Sequence, residues 1–280
     1  MSILPHYALL DSGEGARLEQ FGERRLIRPS TIAVWRRRLP PAEWAKADAT
    51  WEPDAGWQYR GESFPEWRLT GSEVTLLLRP QNNGQIGLFP EHASYLGEVA
   101  AAVAHAAERL GRAPRLLNLF AYTGMASIVA ARAGADVTHV DMMKRALDWA
   151  RANLEVNGLS GVRLIPEDAL AFLDREGRRG NRYDLIIADP PSFSRLNDKR
   201  SWQLDEVIVA LIGAMWKVLD PAGSLFLTSH QFELGAYTLR NLLIDLDPAC
   251  AGSVHISALT IPEQHSTREL PCGHLVRLLR

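Results

Sequence analysis

The chain has 280 residues, 46% of them hydrophobic, and its formal net charge of −2 lies close to neutrality. A chain of this length can bury a substantial core, and its charge argues against a strongly basic nucleic-acid-binding surface. Its two cysteines, Cys250 and Cys272, form no C-x-x-C pair, which argues against a disulfide framework or a structural zinc, and we expect no bound metal. We find neither a signal peptide nor an apolar stretch of membrane-spanning length, so the cytoplasm is the expected compartment.

Residues 1–72 differ in composition from the rest of the chain. They hold five of the eight tryptophans, among short segments separated by glycine and proline. Three of these segments, Tyr7–Asp11, Arg25–Arg28 and Ala33–Arg37, have the residue types of short strands. We therefore predict a small β-rich N-terminal domain over residues 1–72, with the tryptophans in its core, ahead of a main domain over residues 73–280.

A hairpin and a helix are predicted at the start of the main domain. Residues 73–79 have the pattern of a strand, Asn82-Asn83-Gly84 is a turn signal, and Gln85–Phe89 reads as the returning strand. Pro90-Glu91 then opens an alanine-rich helix, which we place at His92–Leu110.

From Arg115 onward, strands and helices alternate. The predicted strands are Leu116–Phe120, Val137–Asp141, Val162–Pro166, Tyr183–Ala188 and Ser224–Ser229. The predicted helices are Met125–Ala133, Met143–Asn157, Ala169–Glu176, Leu204–Leu219 and Leu234–Leu246. This alternation predicts a parallel sheet with helices on both faces. The last two apolar segments, Val254–Ile261 and His274–Leu279, have only a loop between them and predict an antiparallel pair.

The stretch over residues 115–126 carries the first functional signal. An apolar strand breaks at Thr123-Gly124 and leads into a helix, and the next strand ends on Asp141, seventeen positions after Gly124. A strand, a Gly turn, a helix and a strand ending in an acidic residue form a nucleotide-binding half of an α/β sheet. The turn allows a ligand to approach the backbone, and the Asp141 carboxylate can accept hydrogen bonds from ribose hydroxyls. The alternative is that Asp141 is a helix N-cap.

Two further acidic residues follow predicted strands. Asp189 precedes Pro190 and Pro191, which bias its backbone toward an extended conformation at the carboxyl end of a strand. Ligands bind at that end of the strands in open α/β sheets. Asp168 follows the preceding strand and can accept a hydrogen bond from the exocyclic amine of a base, or else cap the helix that comes after it.

Taken in order, these motifs resemble the class I S-adenosylmethionine-dependent methyltransferases. The resemblance covers about residues 73–280 and rests on the turn Asn118–Ala126, Asp141, Ala152-Asn153, Asn157-Gly158-Leu159, Asp168 and Asp189-Pro-Pro-Ser-Phe193. It looks most like the branch that methylates bases of large-subunit ribosomal RNA, and residues 85–92 look like that branch's lead-in hairpin except at Pro90-Glu91-His92. The resemblance implies a Rossmann-like α/β fold with a seven-stranded methyltransferase sheet, S-adenosyl-L-methionine as cofactor, and RNA as substrate.

The resemblance also implies roles for individual residues. Asp141 would bind the ribose hydroxyls, Asp168 the adenine amine, and Asp189 would lie beside the sulfonium methyl group. The Pro190-Pro191 pair and Phe193 would shape the acceptor pocket and complete the catalytic set with Asp189. The residues implied in cofactor binding are Phe89, Glu91, Asn118, Phe120, Tyr122, Thr123, Gly124, Asp141, Met142, Asp168 and Asp189.

The absence of cysteine from two motifs limits which atom can accept the methyl group. Methylation at carbon 5 of a pyrimidine needs a cysteine nucleophile, and the two positions where such enzymes carry it read Pro190-Pro191 and Thr228-Ser229-His230 here. The resemblance therefore favours a nitrogen or oxygen acceptor. His230, after the fifth strand, is a candidate acid or base, but the sequence favours a hydrogen bond at the rim of the site.

The basic residues after Asp189 are candidates for substrate binding. Arg195, Lys199 and Arg200 follow that motif on the ligand edge of the sheet, where they can contact RNA phosphates. Two other interpretations stay open. One is a methyltransferase that acts on a small molecule or a protein, which the near-neutral charge favours. The other is a non-catalytic module that keeps the cofactor fold, which the presence of Asp141 and Asp189 argues against.

Overall fold

The computed structural model describes residues 3, 4, 6–197 and 200–280, except for the side chains of residues 194–197, 200 and 201. The chain forms two compact units. Unit 1 comprises Met1–Ser94 and Thr260–Pro271, and unit 2 comprises Tyr95–Leu259 and Cys272–Arg280. The domain boundary that the sequence predicts at residue 72 stays a prediction, and the N-terminal strands belong to a unit that continues to Ser94.

The first sheet of unit 1 is formed by the N-terminal strands. These are β1 (Tyr7–Gly13), β2 (Ala16–Phe21), β3 (Arg24–Pro29), β4 (Ala49–Glu52) and β5 (Gly56–Tyr59), with the short helix α1 (Pro41–Trp44) between β3 and β4. They lie in the order β1-β2-β3-β4-β5, and all neighbours are antiparallel except β3 and β4. The prediction of a small β-rich region at the N-terminus is confirmed.

The predicted strand at Ala33–Arg37 is wrong. This segment passes the turn between β1 and β2, where the Glu14 N–H donates to the carbonyl of Trp35 at 2.7 Å. A Cβ at Gly13 would lie 2.6 Å from the backbone nitrogen of Arg37, so the close approach requires a glycine there. The segment is therefore held by a turn and by backbone contact, and it forms no strand ladder.

A separate antiparallel pair in unit 1 joins β6 (Trp67–Thr70) to β7 (Thr75–Leu78). The sequence predicts β7 but pairs it with residues 85–89, a described segment that forms no strand. The predicted return is present only as backbone bonds, from the N–H of Arg79 to the carbonyl of Ile86 at 3.0 Å and from the N–H of Gln81 to the carbonyl of Gln85 at 2.8 Å. The N–H of Gly71 donates to the carbonyl of Val74 at 2.7 Å and closes the tight turn between β6 and β7. Helix α2 (Ala93–Leu110) then begins within three residues of its predicted start.

Unit 2 is the alternating region. Its strands are β8 (Arg115–Leu119), β9 (Asp136–Asp141), β10 (Arg163–Pro166), β11 (Tyr183–Ala188), β12 (Phe193–Asn197), β13 (Arg200–Gln203) and β14 (Leu219–Ser229). It also holds the larger part of β15 (Val254–Pro262) and of β16 (Glu269–Leu278), of which residues 260–262 and 269–271 belong to unit 1. Its helices after α2 are α3 (Met125–Arg132), α4 (Lys144–Val156), α5 (Ala169–Arg178), α6 (Leu204–Val218) and α7 (Ala236–Leu246). Over the described residues the main sheet has seven strands in the order β10-β9-β8-β11-β14-β16-β15. The predicted Rossmann-like α/β fold is confirmed.

The strand directions decide where ligands can bind. The first five strands in that order are parallel, and β16 joins β14 in antiparallel direction. Every residue of β11 is buried, so this strand lies in the core with the helices packed over it. Because parallel strands end at the same edge, the loops after β8, β9, β11 and β14 lie along one side of the sheet.

The structure adds a hairpin that the sequence did not predict. Strands β12 and β13 pair in antiparallel direction directly after the diproline segment. Among the described residues, no helix has both the length and the apolar character needed to cross a membrane.

Candidate active site

Strand register brings four residues into a row at the carboxyl edge of the sheet. Leu119 pairs with both Val140 and Ala188, and Ala188 pairs with Leu227. The next residue on each strand is Phe120, Asp141, Asp189 or Thr228, respectively. The structure therefore places the two acidic residues that the sequence singled out, Asp141 and Asp189, on either side of the turn that follows β8.

That turn has an uncommon backbone. Phe120 and Tyr122 have φ values of 54° and 48°, and Gly124 has a φ of 95°. Positive φ at bulky residues costs on the order of 1–3 kcal/mol each, and such strain clusters at functional sites. A Cβ at Gly124 would lie 3.4 Å from Cβ of Ala150 on α4, so a glycine at this position leaves the turn close to the helix.

Hydrogen bonds from neighbouring elements hold the turn in this conformation. The N–H of Tyr122 donates to Oδ2 of Asp141 at 2.9 Å, and Nδ2 of Asn153 donates to the carbonyl of Thr123 at 2.8 Å. Both Thr123 and Asn153 are buried. The backbone is thus fixed from β9 and from α4, and the sequence pattern Ala152-Asn153 contributes to the turn.

Asp141 is bonded through both carboxylate oxygens. Besides the bond to Tyr122, Oδ1 accepts the N–H of Met143 at 2.8 Å. Met143 is itself the N-cap of α4, and no described side chain caps that helix, so Asp141 is not the N-cap that the sequence offered as the alternative. Burial raises the pKa of Asp141, and these two backbone bonds partly offset the effect. A carboxylate offers about four lone-pair directions, so two remain for further donors. Met142, which follows it, is 48% exposed.

A buried series of hydrogen-bonded side chains lies beside the same turn. Nδ2 of Asn118 donates to Oγ of Ser127 at 2.9 Å, and that hydroxyl also lies within hydrogen-bond distance of Nδ1 of His139, at 2.9 Å. Burial lowers the pKa of His139 to about 4, with a smaller opposing effect from the Tyr122 backbone. The side-chain amide nitrogen of Asn118 is therefore bonded within the protein, and the predicted role of Asn118 in cofactor binding stays a prediction.

Asp168 acts as a helix cap. Its Oδ1 accepts the N–H of Ala171 at 3.0 Å at the start of α5. This is the alternative that the sequence left open for it, and its predicted role toward the adenine amine stays a prediction.

The side chain of Asp189 and the diproline segment that follows it are both held by neighbouring residues. Its Oδ1 accepts a hydrogen bond from the hydroxyl of Thr228 and contacts Nε2 of His230 at 2.9 Å. The following segment is fixed by Nε1 of Trp202, which donates to the carbonyl of Pro191 at 2.8 Å. The ring of Trp202 also packs against Phe120, with centroids 5.3 Å apart. The unpredicted hairpin therefore supports the diproline segment, and sequence reasoning had assigned Trp202 no role.

The remaining predicted site residues fall into three groups. Phe193, at the start of β12, is 60% exposed. Arg195 and Arg200 lie on β12 and β13, with side chains that are not described, and Lys199 lies outside the described residues. Phe89 and Glu91 belong to unit 1, where Oε2 of the buried Glu91 has no hydrogen-bond partner among the described residues. Their predicted roles stay predictions.

His230 has more contacts than the sequence indicated. Its Nδ1 lies 2.8 Å from the carbonyl oxygen of Cys272, and its Nε2 reaches Asp189. The sequence named it as a candidate acid or base but could not connect it with Asp189, because the two residues are far apart in the chain.

Comparison with known proteins points to a methyltransferase. The family model described as S-adenosylmethionine-dependent methyltransferase matches residues 44–257. A crystal structure of a SAM-dependent methyltransferase from Agrobacterium tumefaciens is 34% identical, covers 100% of this chain and 92% of that one, and has a TM-score of 0.90. A structure from Streptococcus mutans, described as a methyltransferase of the same cofactor class, is 16% identical and shares the fold with a TM-score of 0.75 over 99% of this chain and 75% of that one.

Curated relatives match over a shorter region. The protein named ribosomal RNA large subunit methyltransferase K/L from Allochromatium vinosum is 41% identical over 156 residues, which are 53% of this chain and 20% of that protein. Its namesake from Shewanella frigidimarina is 37% identical over 139 residues, 47% of this chain and 19% of that protein. The aligned region thus spans about a fifth of the length of these relatives.

Proposed function

Since the chain belongs to the S-adenosylmethionine-dependent methyltransferase family, we propose that it transfers the cofactor's methyl group to a nitrogen atom of an RNA base. The observation that carries this proposal is the position of Asp189. It follows a central strand, precedes two prolines, and lies in one row with Asp141 and the Gly124 turn. The names of the curated relatives support ribosomal RNA of the large subunit as the acceptor, which also implies a reaction in the cytoplasm.

The residues in the row fit the cofactor. Asp141 has lone pairs left for two ribose hydroxyls after its bonds to Tyr122 and Met143. Gly124 leaves the backbone of the turn without a side chain, which allows the methionine part of a ligand to approach. Exposed Met142 provides an apolar surface beside Asp141 that suits an adenine ring.

We assign the chemistry to Asp189. When bound, S-adenosylmethionine supplies an electrophilic methyl group on a sulfonium centre. As an acceptor amine attacks, positive charge develops on its nitrogen, and a carboxylate or carbonyl of Asp189 can accept its N–H and stabilise that charge. The hydrogen bond from Thr228 and the stiff Pro190-Pro191 segment keep Asp189 in one position, which favours a near-attack geometry.

The cysteines support a nitrogen acceptor over a pyrimidine carbon. Burial raises the pKa of the Cys250 thiol, with a further contribution from Asp247, so the reactive thiolate is disfavoured. Cys272 contributes a backbone carbonyl to His230. Neither residue belongs to the row of strand ends that holds Asp189.

The surface after Asp189 supports an RNA base as the acceptor. Phe193 has an exposed aromatic ring, and base–aromatic stacking is worth about 1–3 kcal/mol per base. The hairpin that begins with Phe193 also carries Arg195 and Arg200, in keeping with phosphate contacts.

Mass spectrometry of nucleosides from ribosomal RNA tests this function. We expect one methylated base to be missing from cells that lack the gene and to return with the wild-type protein but not with Asp189→Ala. An unchanged nucleoside profile would contradict a ribosomal RNA acceptor and would favour the small-molecule or protein alternative.

RNA binding in solution separates these acceptor classes further. A triple variant with Arg195, Lys199 and Arg200 replaced by glutamine is expected to bind RNA more weakly, with a flatter salt dependence. Each lost phosphate contact reduces the slope of log K against log salt by about 0.7 for single strands. The matched control is Arg178→Gln, an exposed position at the end of α5. An unchanged slope in the triple variant would remove these residues from the substrate site.

A further inference from the structure

His230 is a residue of unit 2 whose side chain the proposed chemistry has not used. Its Nδ1 lies 2.8 Å from the carbonyl oxygen of Cys272, and its Nε2 lies 2.9 Å from Oδ1 of Asp189. The side chains of His230 and Asp189 are 25% and 18% exposed, so the pair is largely shielded from solvent.

The two contacts together define where the protons are. A carbonyl oxygen only accepts, so Nδ1 of His230 must donate its proton to Cys272. In a neutral ring Nε2 would then carry no hydrogen, and its lone pair would face the lone pairs of the Asp189 carboxylate. The 2.9 Å contact therefore requires one further proton between Nε2 and Oδ1. Imidazole is ordinarily the stronger base of the two groups, so that proton resides on His230.

Two donors consequently converge on one oxygen of Asp189. Nε2–H of His230 and the hydroxyl of the buried Thr228 both direct a hydrogen to Oδ1. Hydrogen bonds from a cationic donor are roughly twice as strong as those between neutral groups. This arrangement fixes the rotation of the carboxylate and favours its ionised form.

The backbone around His230 is built to allow this contact. Gly273, next to Cys272 on β16, has a φ of 148°. A Cβ there would collide with the carbonyl of Ser229 and lie 3.1 Å from Cα of His230. The absence of a side chain at Gly273 lets β16 come close enough for the Cys272 carbonyl to orient the imidazole.

We infer that His230 is a positioning residue for methyl transfer, which orients the Asp189 carboxylate and keeps it ionised by donating a charged hydrogen bond to Oδ1. This inference rests on the proposed role of Asp189. In this arrangement His230, together with Thr228, holds the Asp189 carboxylate in one orientation at an edge of the sheet that is partly open to solvent.

A double-mutant cycle tests whether His230 acts through Asp189. We expect His230→Ala to lower the single-turnover rate by about tenfold or more, or about 1.4 kcal/mol in the barrier, with cofactor affinity and the KM for RNA little changed. In an Asp189→Asn background the same change is expected to have almost no further effect. His230→Gln, which keeps an N–H donor without the charge, is expected to restore part of the rate. The control is His255→Ala, at an exposed position on the edge strand β15.

The cycle has two outcomes that would overturn the inference. An equal loss of rate in both backgrounds would mean that His230 has a general structural role. No loss from His230→Ala in the otherwise wild-type protein would mean that Asp189 does not depend on it.

A measurement without substrate separates this inference from the RNA proposal. ¹⁵N NMR of the histidine rings at neutral pH is expected to show both nitrogens of His230 protonated in the wild-type protein, with a shift toward the neutral Nδ1–H form in Asp189→Asn. A bare Nε2 in the wild-type protein would refute the inference. If the ring is doubly protonated but RNA is not methylated, the RNA acceptor is wrong and the Asp189–His230 pairing stands.

Discussion

The amide of Tyr122 donates to Oδ2 of Asp141 at 2.9 Å, and this bond ties the turn after β8 to the end of β9. Both oxygens of the Asp141 carboxylate therefore accept backbone hydrogen bonds inside the protein, and neither caps α4, whose N-cap is Met143. Oδ1 accepts the N–H of Met143, and Oδ2 holds Tyr122, a turn residue with a φ of 48°. A ligand bound to Asp141 would meet a carboxylate that is already oriented by the protein.

We expect Asp141→Ala to weaken S-adenosylmethionine binding by about tenfold or more, or roughly 1.4 kcal/mol, since it removes a charge-assisted contact and the bond to Tyr122. Asp141→Asn keeps one acceptor oxygen, and its affinity for S-adenosylmethionine is expected to lie between those of the wild-type protein and Asp141→Ala. Titration calorimetry gives the affinities, and thermal melting shows whether the variants fold. Asp148→Ala, an exposed position on α4, is the control. Unchanged affinity in folded Asp141→Ala would refute the role.

The buried His139 predicts a specific acid sensitivity. Its folded-state pKa is lowered from 6.5 to about 4, so the unfolded chain binds a proton between these pH values while the folded protein does not. The contribution of neutral His139 to the free energy of unfolding is fully present above pH 6.5 and is lost as the pH falls toward 4. The free energy of unfolding changes by at most about 1.4 kcal/mol per pH unit from this group.

His139→Gln is expected to remove that part of the slope. Urea unfolding at several pH values between 4 and 7 measures it, with His255→Gln, an exposed histidine, as the control. An equally steep loss of stability in His139→Gln and the wild-type protein would show that other groups cause the acid sensitivity.

We expect the cysteines to be dispensable for catalysis. A variant with Cys250→Ser and Cys272→Ser is expected to keep its methyl-transfer rate, because Cys250 is buried with a raised pKa and the contact of Cys272 with His230 is made by a backbone carbonyl, which serine retains. Single-turnover kinetics measures the rate, and thermal melting accounts for any loss of stability. A covalent protein–RNA adduct that forms with the wild-type protein and not with this variant would restore the pyrimidine carbon as acceptor.

Asp189→Ala is expected to lower the rate while leaving cofactor affinity nearly intact. This is the result for an interaction that is realised mainly in the transition state. Single-turnover kinetics at saturating cofactor and calorimetry of cofactor binding together make the test, with Asp174→Ala on the exposed face of α5 as the control. If Asp189→Ala loses cofactor affinity and keeps its rate at saturation, the residue binds the cofactor and does not stabilise the transition state.

The sequence predicted the main sheet well because its strands are long apolar runs between amphipathic helices. The strand Tyr183–Ala188 was predicted with its observed bounds, and the predicted strands and helices from Arg115 onward occur in the observed order, to which the structure adds the hairpin β12–β13. The N-terminal part was predicted less well. Its short segments, such as Ala33–Arg37, adopt a structure set by contacts with distant backbone, which a local pattern does not contain.

The same distinction applies to the site. Asp141 and Asp189 could be identified because a predicted strand ends at or directly before each of them, and Gly124 because it breaks the segment between a strand and a helix. The contact of His230 with Cys272 joins residues 42 positions apart, and it depends on Gly273 allowing β16 to approach β14. Trp202 was likewise missed, because its bond to Pro191 requires a hairpin that has no strong signal in the sequence.

Transfer of a labelled methyl group tests the central claim most directly. The purified protein is incubated with S-adenosylmethionine carrying a labelled methyl group and with ribosomal RNA from cells that lack the gene, and the digested nucleosides are separated by mass spectrometry. We predict that the label appears on a nitrogen of one base, and that Asp189→Ala strongly reduces it. Label at carbon 5 of a pyrimidine, or no label in any nucleoside, would contradict the account.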